Sequence, residues 1–349
     1  MTLHAHILTD IDPRYFTRMA PGKAPRWGDV RFTFGLDLPR SAEALILYTR
    51  ASWTVPTHLP KQRIGFVAGE PEDIHPYSAA FLNQFALVVA PGEKPLDTER
   101  MMESPALPWF VGLDFANPDA AWGHDDLAAL PVPEQDDRIS IVTSRKATTP
   151  YHKRRLAFID HLVARIPDRI VLYGREFNPV GDKKDALLPH RYHLALENGA
   201  GRFSWTEKLA DPILCWSLPF YVGCENVDDE LPARAIIPLN LEAPDAALET
   251  MLKAIDNGAW AARRVALTEA RNRILSHHNS MALFARMASR LAAADAKGAA
   301  VTIRSERSLP PEPGARGSWP EMIARRAMQA VDPGIELRFA RWKQARRGR

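Results

Sequence analysis

Short, continuous apolar runs separated by turn residues are the feature that most constrains the fold of this 349-residue chain. Runs of this length suit strands that are buried on both faces, as in parallel sheets. In the second half of the chain they alternate with helical periodicity, which predicts right-handed βαβ units in a doubly wound α/β sheet. The predicted strands are residues 44–48, 63–68, 87–90, 139–143, 170–173, 192–196, 219–222 and 235–239.

The domain organisation follows from length and from two changes in composition. At about 150 residues per domain, the length predicts two domains. The sequence PVPEQDDR, which ends at Arg138, combines prolines with acidic residues and is typical of a linker. A Pro/Gly-rich stretch, SLPPEPGARGSWP, begins at Ser308. We therefore predict domains over residues 1–133 and 134–300, followed by a connector and tail over 301–349.

Composition excludes several classes of protein. Hydrophobic residues make up 46% and charged residues 25% of the chain, which excludes disordered, collagen-like and disulfide-scaffold proteins. Cys215 and Cys224 lack the CxxC spacing of a zinc site and form no disulfide framework, which indicates a reducing compartment. Neither a signal-type segment nor a membrane-spanning apolar run is present in the sequence, so we expect a cytoplasmic protein.

The densest polar cluster within an apolar context spans residues 192–223. A strand pattern ends in Glu197 and Asn198, and a glycine-containing loop then leads to Thr206, Glu207 and Lys208 at the start of a helix-like run. Thr206 is a candidate N-cap, and free backbone N–H groups with a lysine close behind suit a pyrophosphate. A carboxylate at position 207 can accept hydrogen bonds from ribose or sugar hydroxyls. The alternative is a capped helix with a solvated Glu-Lys pair.

The sequence ENGAGRFSWTEKLADPILCWSLPFYVG, from Glu197 to Gly223, resembles the signature of the family 10 glycosyltransferases, which are fucosyltransferases. Upstream, Arg155, the sequence LYGR at 172–175 and the lysines before Tyr192 resemble the order of elements in the same family. The resemblance covers roughly residues 139–239. Over residues 1–133 it rests mainly on FVAGEPE at 66–72 and LPW at 107–109.

The resemblance implies a GT-B architecture, in which two Rossmann-like domains face each other across a cleft and the C-terminal domain holds the nucleotide sugar. It implies inverting transfer of L-fucose from GDP-fucose to a GlcNAc- or glucose-type hydroxyl of a glycan. Carried over by position, Arg155 and Lys208 contact the diphosphate, and Asn198 and Glu207 contact the sugar or ribose. A fixed Arg and Lys neutralise the charge that grows on the leaving GDP, so no metal or cofactor is expected.

The resemblance also makes Glu70 the general base that deprotonates the acceptor hydroxyl. Glu70 follows a predicted strand and Gly69, at a carboxyl end where ligands of α/β sheets bind. The alternative is that Glu70 and Glu72 are exposed carboxylates in a proline-containing turn. One departure from the family pattern concerns Ser204. The family commonly has a tyrosine at this position, two residues before the threonine that corresponds to Thr206. A different GDP-sugar is therefore an open alternative.

Two further features have competing interpretations. Asp10 and Asp12 form a DxD pair of the kind that binds Mn²⁺ in other transferases, although such pairs are frequent by chance. The segment from Arg316 to Arg349 has nine basic and three acidic residues, a net charge of +6, against +3 for the whole chain. Its interleaved aromatic and basic residues favour an anionic membrane surface. A packed C-terminal helix and nucleic-acid binding are the alternatives.

Taken together, the sequence predicts a metal-independent, inverting glycosyltransferase in the cytoplasm, peripheral at the inner face of the membrane, with a lipid-linked oligosaccharide or other glycan as acceptor. No nucleic-acid partner is expected. A rival from another class is a non-catalytic protein that binds glycans or nucleotides on the same scaffold. The predicted donor-binding residues are Arg155, Glu197, Asn198, Ser204, Thr206, Glu207 and Lys208, and the predicted catalytic residue is Glu70.

Overall fold

The structure, a computed structural model, describes residues 2–49, 52–70, 75–92, 94–114, 117–147, 149–311 and 318–347. Within these ranges the chain forms two compact units. Unit 1 comprises Met1–Ala20, Ala24–Pro105 and Ser280–Arg349, and unit 2 comprises Pro21–Lys23 and Ala106–Asn279.

Strands and helices are numbered separately along the chain. The strands are β1 (Leu3–Leu8), β2 (Arg26–Trp27), β3 (Val30–Gly35), β4 (Ala44–Tyr48), β5 (Val55–Pro56), β6 (Ile64–Val67), β7 (Leu87–Val89), β8 (Glu99–Arg100), β9 (Asp136–Val142), β10 (Ile170–Tyr173), β11 (His190–Gly201), β12 (Leu218–Cys224), β13 (Ile237–Pro238) and β14 (Thr302–Ile303). The α-helices are α1 (Arg14–Thr17), α2 (Ala79–Leu82), α3 (His124–Ala129), α4 (Pro150–Arg165), α5 (Lys184–Leu187), α6 (Glu207–Leu214), α7 (Pro244–Asp256), α8 (Ala259–Ala262), α9 (Arg264–Ser276), α10 (Ser280–Ala293), α11 (Trp319–Val331) and α12 (Ile335–Arg347).

Unit 1 is built on a sheet with the strand order β2-β3-β1-β4-β6-β7-β8. Its pairings are parallel except that of β2 with β3. Every residue of β4 and β6 is buried, as expected for central strands that are covered on both faces. The chain visits β3 on one side of β1 and then crosses to β4 on the other side, so the direction of winding reverses at β1.

Unit 2 is built on a parallel sheet with the order β10-β9-β11-β12-β13. Its hydrophobic core joins the strand side chains to α4 and α7, through residues such as Phe158, Leu162 and Met251. Thr149 caps the N-terminus of α4, because its side chain accepts a hydrogen bond from His152 N. Pro150 occupies the first turn of the helix, where a missing N–H is tolerated. The predicted α/β class, with two units each built on a mainly parallel sheet, is confirmed.

The domain boundaries differ from the predicted ones. The segment around PVPEQDDR is not a linker between units, because the chain has already entered unit 2 at Ala106. Gln135 donates hydrogen bonds to the carbonyls of His190 and Cys215, and Leu130 O accepts one from Trp216 Nε1 at 3.1 Å. These bonds fix the segment to unit 2, and prolines here end a helix instead of separating domains.

The C-terminal fifth of the chain divides differently as well. Residues 280–300 were predicted in the second domain, but α10 belongs to unit 1, where the Phe284 ring packs against Phe16 and Tyr48. Residues 301–349 are not a separate tail, because β14 pairs with β5 and Leu337 of α12 is buried in the core of unit 1. The alternative of a packed C-terminal helix therefore describes this segment.

Two further predictions concern cysteines and membranes. Cys215 and Cys224 are both buried and free, in agreement with the prediction that they form no disulfide. Among the described residues, no helix has both the length and the apolar character needed to cross a membrane.

Candidate functional site

A cavity of about 400 Å³ lies at the carboxyl ends of β9 and β11 in unit 2. α4 and α6 both begin at this cavity, so two helix N-termini point towards it. Four of the predicted donor-binding residues line it, namely Arg155, Asn198, Glu207 and Lys208. The position beyond the strand ends is the one at which open α/β sheets bind ligands.

Arg155, on the second turn of α4, is a buried cation with spare hydrogen-bonding capacity. Its side chain is only 8% exposed, and its Nη1 donates a hydrogen bond of 2.6 Å to Asn198 Oδ1. Its buried Nε has no hydrogen-bond partner among the described residues. Burial lowers the pKa of Arg155, since the charged form loses hydration. An anion in the cavity would supply both the countercharge and the missing acceptor.

Glu197 holds the turn that precedes α6. Its Oε1 accepts a hydrogen bond from Thr206 N at 2.8 Å, and its Oε2 accepts one from Thr206 Oγ1 at 2.7 Å. Both residues are buried and neither lines the cavity. A side chain at Gly223 would place its Cβ 2.4 Å from Glu197 Cγ, so only glycine fits where β12 passes the Glu197 side chain. Glu197 and Thr206 therefore position the first turn of α6.

The first turn of α6 carries one end of a row of alternating charges. Glu207 Oε1 lies 3.1 Å from Lys208 Nζ and 3.8 Å from Lys183 Nζ, and Lys183 Nζ lies 2.8 Å from Asp211 Oδ2. Asp211 Oδ1 also accepts hydrogen bonds from the backbone N–H groups of Phe110 and Val111. The solvated Glu-Lys pair is not observed, because these side chains are largely buried and interlocked.

The charge states within this row follow from its geometry. Burial alone would raise the pKa of Glu207, but Lys208 and Lys183 outweigh burial and lower the pKa to about 2. Burial would likewise lower the pKa of Lys208, but Glu207 and Glu197 outweigh it and raise the pKa. Glu207 is consequently ionised at neutral pH and acts as a hydrogen-bond acceptor only.

The cavity has a surplus of positive charge. Its described lining includes the cations Lys146, Arg155, Lys183 and Lys208 and the carboxylates Glu207 and Asp211, a difference of two positive charges (four minus two). His193 adds no charge, because burial lowers its pKa to about 3. Just outside the lining, Glu197 Oε2 lies 3.7 Å from Lys208 Nζ and offsets part of this surplus. The lining therefore complements a ligand that carries negative charge.

The aromatic side chain at the cavity does not come from the motif of residues 197–223. Ser204 and Trp205 are buried outside the lining, and Trp205 Nε1 donates a hydrogen bond to Glu230 at 2.6 Å. The buried Ser204 Oγ has no partner among the described residues. The aromatic ring at the cavity is that of Phe110, with Lys183 Nζ 5.1 Å from its centroid. Sequence reasoning missed both residues, although Lys183 is among the lysines that precede Tyr192.

Glu70 lies in unit 1, beyond the carboxyl end of β6, and is partly buried. It borders a small cavity with His75, Lys94 and Arg100. Gly69 before it is required by a close approach, because a Cβ there would lie 2.3 Å from Thr49 Cγ2. The position at a strand end agrees with the expected one, and the role as general base stays a prediction. Glu72 lies outside the described residues.

Within the described ranges, no group of three or more His, Cys, Asp or Glu side chains is arranged to hold a metal ion. Of the DxD pair, Asp12 forms an ion pair with Arg14 at 2.6 Å, whereas Asp10 borders a separate groove in unit 1.

Comparisons with solved structures return glycosyltransferases. The chain is similar to an α1,3-fucosyltransferase crystallised with GDP-fucose, with a TM-score of 0.49 and 15% identity over 84% of this chain and 91% of that one. It is similar to an α1,3-fucosyltransferase with GDP (TM-score 0.45, 15% identity, 80% and 92% coverage). It is also similar to a UDP-forming trehalose-phosphate synthase from Burkholderia vietnamiensis (TM-score 0.47, 9% identity, 85% and 98% coverage). No protein-family profile and no curated protein sequence match the chain.

Proposed function

We propose that the protein is a glycosyltransferase whose unit 2 binds a nucleoside-diphosphate sugar in the cavity of about 400 Å³. The observation that carries the proposal is Arg155, a buried guanidinium with an unpartnered Nε, beside Lys208 and Lys183 in a lining with surplus positive charge. A diphosphate supplies the oxygen acceptors and negative charge that this lining lacks. As the sugar leaves, charge grows on the β-phosphate, and fixed cations stabilise it without reorganisation.

The first candidate donor is GDP-fucose, transferred with inversion and without a metal, because the motif from Glu197 to Gly223 resembles that of family 10 fucosyltransferases. The ionised Glu207 and the amide of Asn198 offer acceptors for ribose or sugar hydroxyls. A second candidate is another GDP-sugar. Ser204 favours it, because the residue that replaces the family's tyrosine is buried away from the lining and Phe110 supplies the ring instead.

For the acceptor side we propose Glu70 as the general base, acting on a glycan hydroxyl of GlcNAc or glucose type. Inverting displacement needs one carboxylate close to the attacking hydroxyl. Glu70 supplies a partly buried carboxylate at the carboxyl end of β6. A non-catalytic protein that binds a nucleotide or glycan is the rival, and release of GDP from the donor distinguishes the two.

The decisive experiment measures binding and slow hydrolysis of a panel of GDP- and UDP-sugars by the full-length protein. We expect micromolar or tighter calorimetric binding of GDP and GDP-fucose, with GDP release that persists when EDTA is present. Binding without any release of GDP, even with glycan acceptors present, would favour the rival. If neither GDP nor UDP binds, the proposal is wrong.

We also propose a cytoplasmic location, with the segment 316–349 holding the protein at the inner, anionic face of a membrane. Exposed Trp319, Ile323 and Trp342, between basic side chains, support this part of the proposal. Truncation is a poor test, because Leu337 belongs to the core of unit 1. Flotation with anionic vesicles should instead compare the wild type with Trp319→Ser, and equal flotation would argue against a role of that face.

A further inference from the structure

Unit 1 contains a groove of about 1000 Å³ at the carboxyl edge of its sheet. The groove is bordered by Asp10, which follows β1, by Leu36, which follows β3, and by Trp53 in the segment between β4 and β5. These three strands flank the point at which the winding of the sheet reverses. Ligands of doubly wound sheets bind at such a switch point. The cavity described in unit 2 is separate from this groove.

Half of the residues that line the groove are apolar, and several of these are exposed. α11 contributes Met328, which is 46% exposed, and α12 contributes Ile335 and Phe339, which are 37% and 55% exposed. Most of the large apolar side chains that are exposed among the described residues lie on these two helices. Exposed apolar side chains that line one groove indicate a binding site.

The polar groups in the middle of the groove already have partners. Arg325 Nη1 donates to Glu336 Oε1, and Arg325 Nε donates to Glu321 Oε1 at 3.0 Å. Glu336 Oε2 accepts hydrogen bonds from Gln329 Nε2 and from Thr54 N. This network needs nothing from a ligand, so the unmet requirement in the middle of the groove is for apolar contact.

The charge at one end of the groove selects the polar part of the ligand. The α12 sequence carries five basic residues and one acidic residue. Lys343 borders the groove and lies over the Phe339 ring at 4.7 Å, and no described carboxylate forms an ion pair with it. Arg346 lies over the neighbouring Trp342 ring. The lining also contains three carboxylates, of which Glu321 and Glu336 are paired with Arg325 and the third is Asp10 after β1. The basic end of α12 beside these apolar side chains complements an anionic head group on a hydrocarbon chain.

We propose that this groove binds the hydrocarbon chain of an anionic amphiphile, with Lys343 next to the head group. Binding of an amphiphile in the groove does not require transferase activity. The proposal rests on the proposed function in one respect only, namely that the amphiphile is the lipid part of the acceptor. In that role the groove would hold a lipid-linked glycan by its lipid, at the carboxyl edge of the sheet that also carries Glu70 at the end of β6.

The test measures calorimetric binding of dodecyl phosphate to the full-length protein, below the critical micelle concentration. We expect saturable one-to-one binding that weakens by about fourfold for each methylene removed, as octyl and decyl phosphate will report. Inorganic phosphate should not compete, and dodecyl maltoside should bind more weakly. An affinity that does not depend on chain length, or no saturable binding at all, would overturn the proposal.

Matched substitutions on one helix locate the binding. Ala324 borders the groove, so Ala324→Trp should fill it and weaken dodecyl phosphate binding by at least about tenfold. Ala330→Trp, at an exposed position of the same helix outside the lining, should leave the affinity unchanged. Equal losses in both variants would mean adsorption to the helix surface and would contradict the groove. Lys343→Ala should weaken the binding of dodecyl phosphate but not the binding of dodecyl maltoside.

GDP binding separates this proposal from the proposed function. Ala324→Trp should bind GDP like the wild type, since the cavity in unit 2 is unchanged. If GDP binds and dodecyl phosphate does not, the groove assignment alone is wrong. If dodecyl phosphate binds in the groove and no nucleotide binds, the groove stands and the transferase proposal is wrong.

Discussion

Replacement of Arg155 by methionine should separate nucleotide binding from the stability of unit 2. The guanidinium is 8% exposed and makes a 2.6 Å hydrogen bond to Asn198 Oδ1, while its Nε has no partner among the described residues. A hydrogen bond to a charged group contributes about 1.5–3 kcal/mol. Loss of one such bond to a phosphate should therefore raise the Kd for GDP by about 10- to 150-fold.

The stability of the ligand-free protein should respond much less. Methionine removes a buried charge, which is neutral to favourable, and leaves Asn198 Oδ1 without its donor, which costs about 1–3 kcal/mol. These effects oppose each other, so we expect a midpoint of thermal unfolding close to that of the wild type without GDP. The stabilisation that GDP gives to the wild type should be much smaller in Arg155→Met.

The neighbouring arginine supplies the control. Arg154 lies on the same helix, is about half exposed, forms an ion pair with Glu242 at 3.4 Å and is absent from the cavity lining. Arg154→Met should retain the wild-type affinity for GDP by calorimetry. Wild-type affinity in Arg155→Met would refute the reasoning, as would an equal loss in both variants.

Three further outcomes are expected. The pKa of Glu207 is lowered to about 2 from 4.5, so its ionised form contributes on the order of 3 kcal/mol to the free energy of unfolding. This contribution is present above about pH 4.5 and is lost as the pH falls towards 2. Urea unfolding of Glu207→Gln between pH 7 and 3 should therefore show a shallower pH dependence than that of the wild type, and an unchanged slope would contradict this. Glu70→Gln should lower transfer by about 10²- to 10⁴-fold with an unaltered donor Kd, and normal turnover would exclude it as the base. Gly223→Ala should destabilise the protein by about 1–3 kcal/mol, because its Cβ would meet Glu197 Cγ at 2.4 Å. Gly181→Ala, with open space around the added Cβ, should not destabilise it. Equal unfolding midpoints of the two variants would contradict the requirement for glycine at position 223.

The strands and helices of unit 2 are the part of the fold that the sequence predicts best. The apolar runs at β10 and β12 and the amphipathic spacing of α4 are local signals, and each acts within the element itself. β1 has a weaker local signal, because His4 and His6 interrupt its apolar pattern. Both rings are buried and hydrogen-bonded to Thr33 Oγ1, a partner that only the paired strand β3 supplies.

The candidate site could be predicted in part for the same reason. Glu207 and Lys208 lie in the first turn of α6, Arg155 in the second turn of α4 and Asn198 near the end of β11, and the carboxyl edge of a parallel sheet brings such positions together. Phe110 and Lys183 lie outside the strands and helices. Their places depend on hydrogen bonds to Asp211, more than twenty residues away in each case, and no local pattern reports such bonds.

The nested path of the chain has a consequence for synthesis. Most of unit 2 is one continuous stretch, Ala106–Asn279, which leaves the ribosome before the last segment of unit 1, Ser280–Arg349, exists. Unit 2 can therefore complete its core during translation, whereas the sheet of unit 1 waits for α10 to cover Phe16 and Tyr48 and for Leu337 to enter its core. A chain that ended soon after residue 279 would therefore contain the whole of unit 2, whereas the sheet of unit 1 would have all its strands but lack the helix that covers Phe16 and Tyr48.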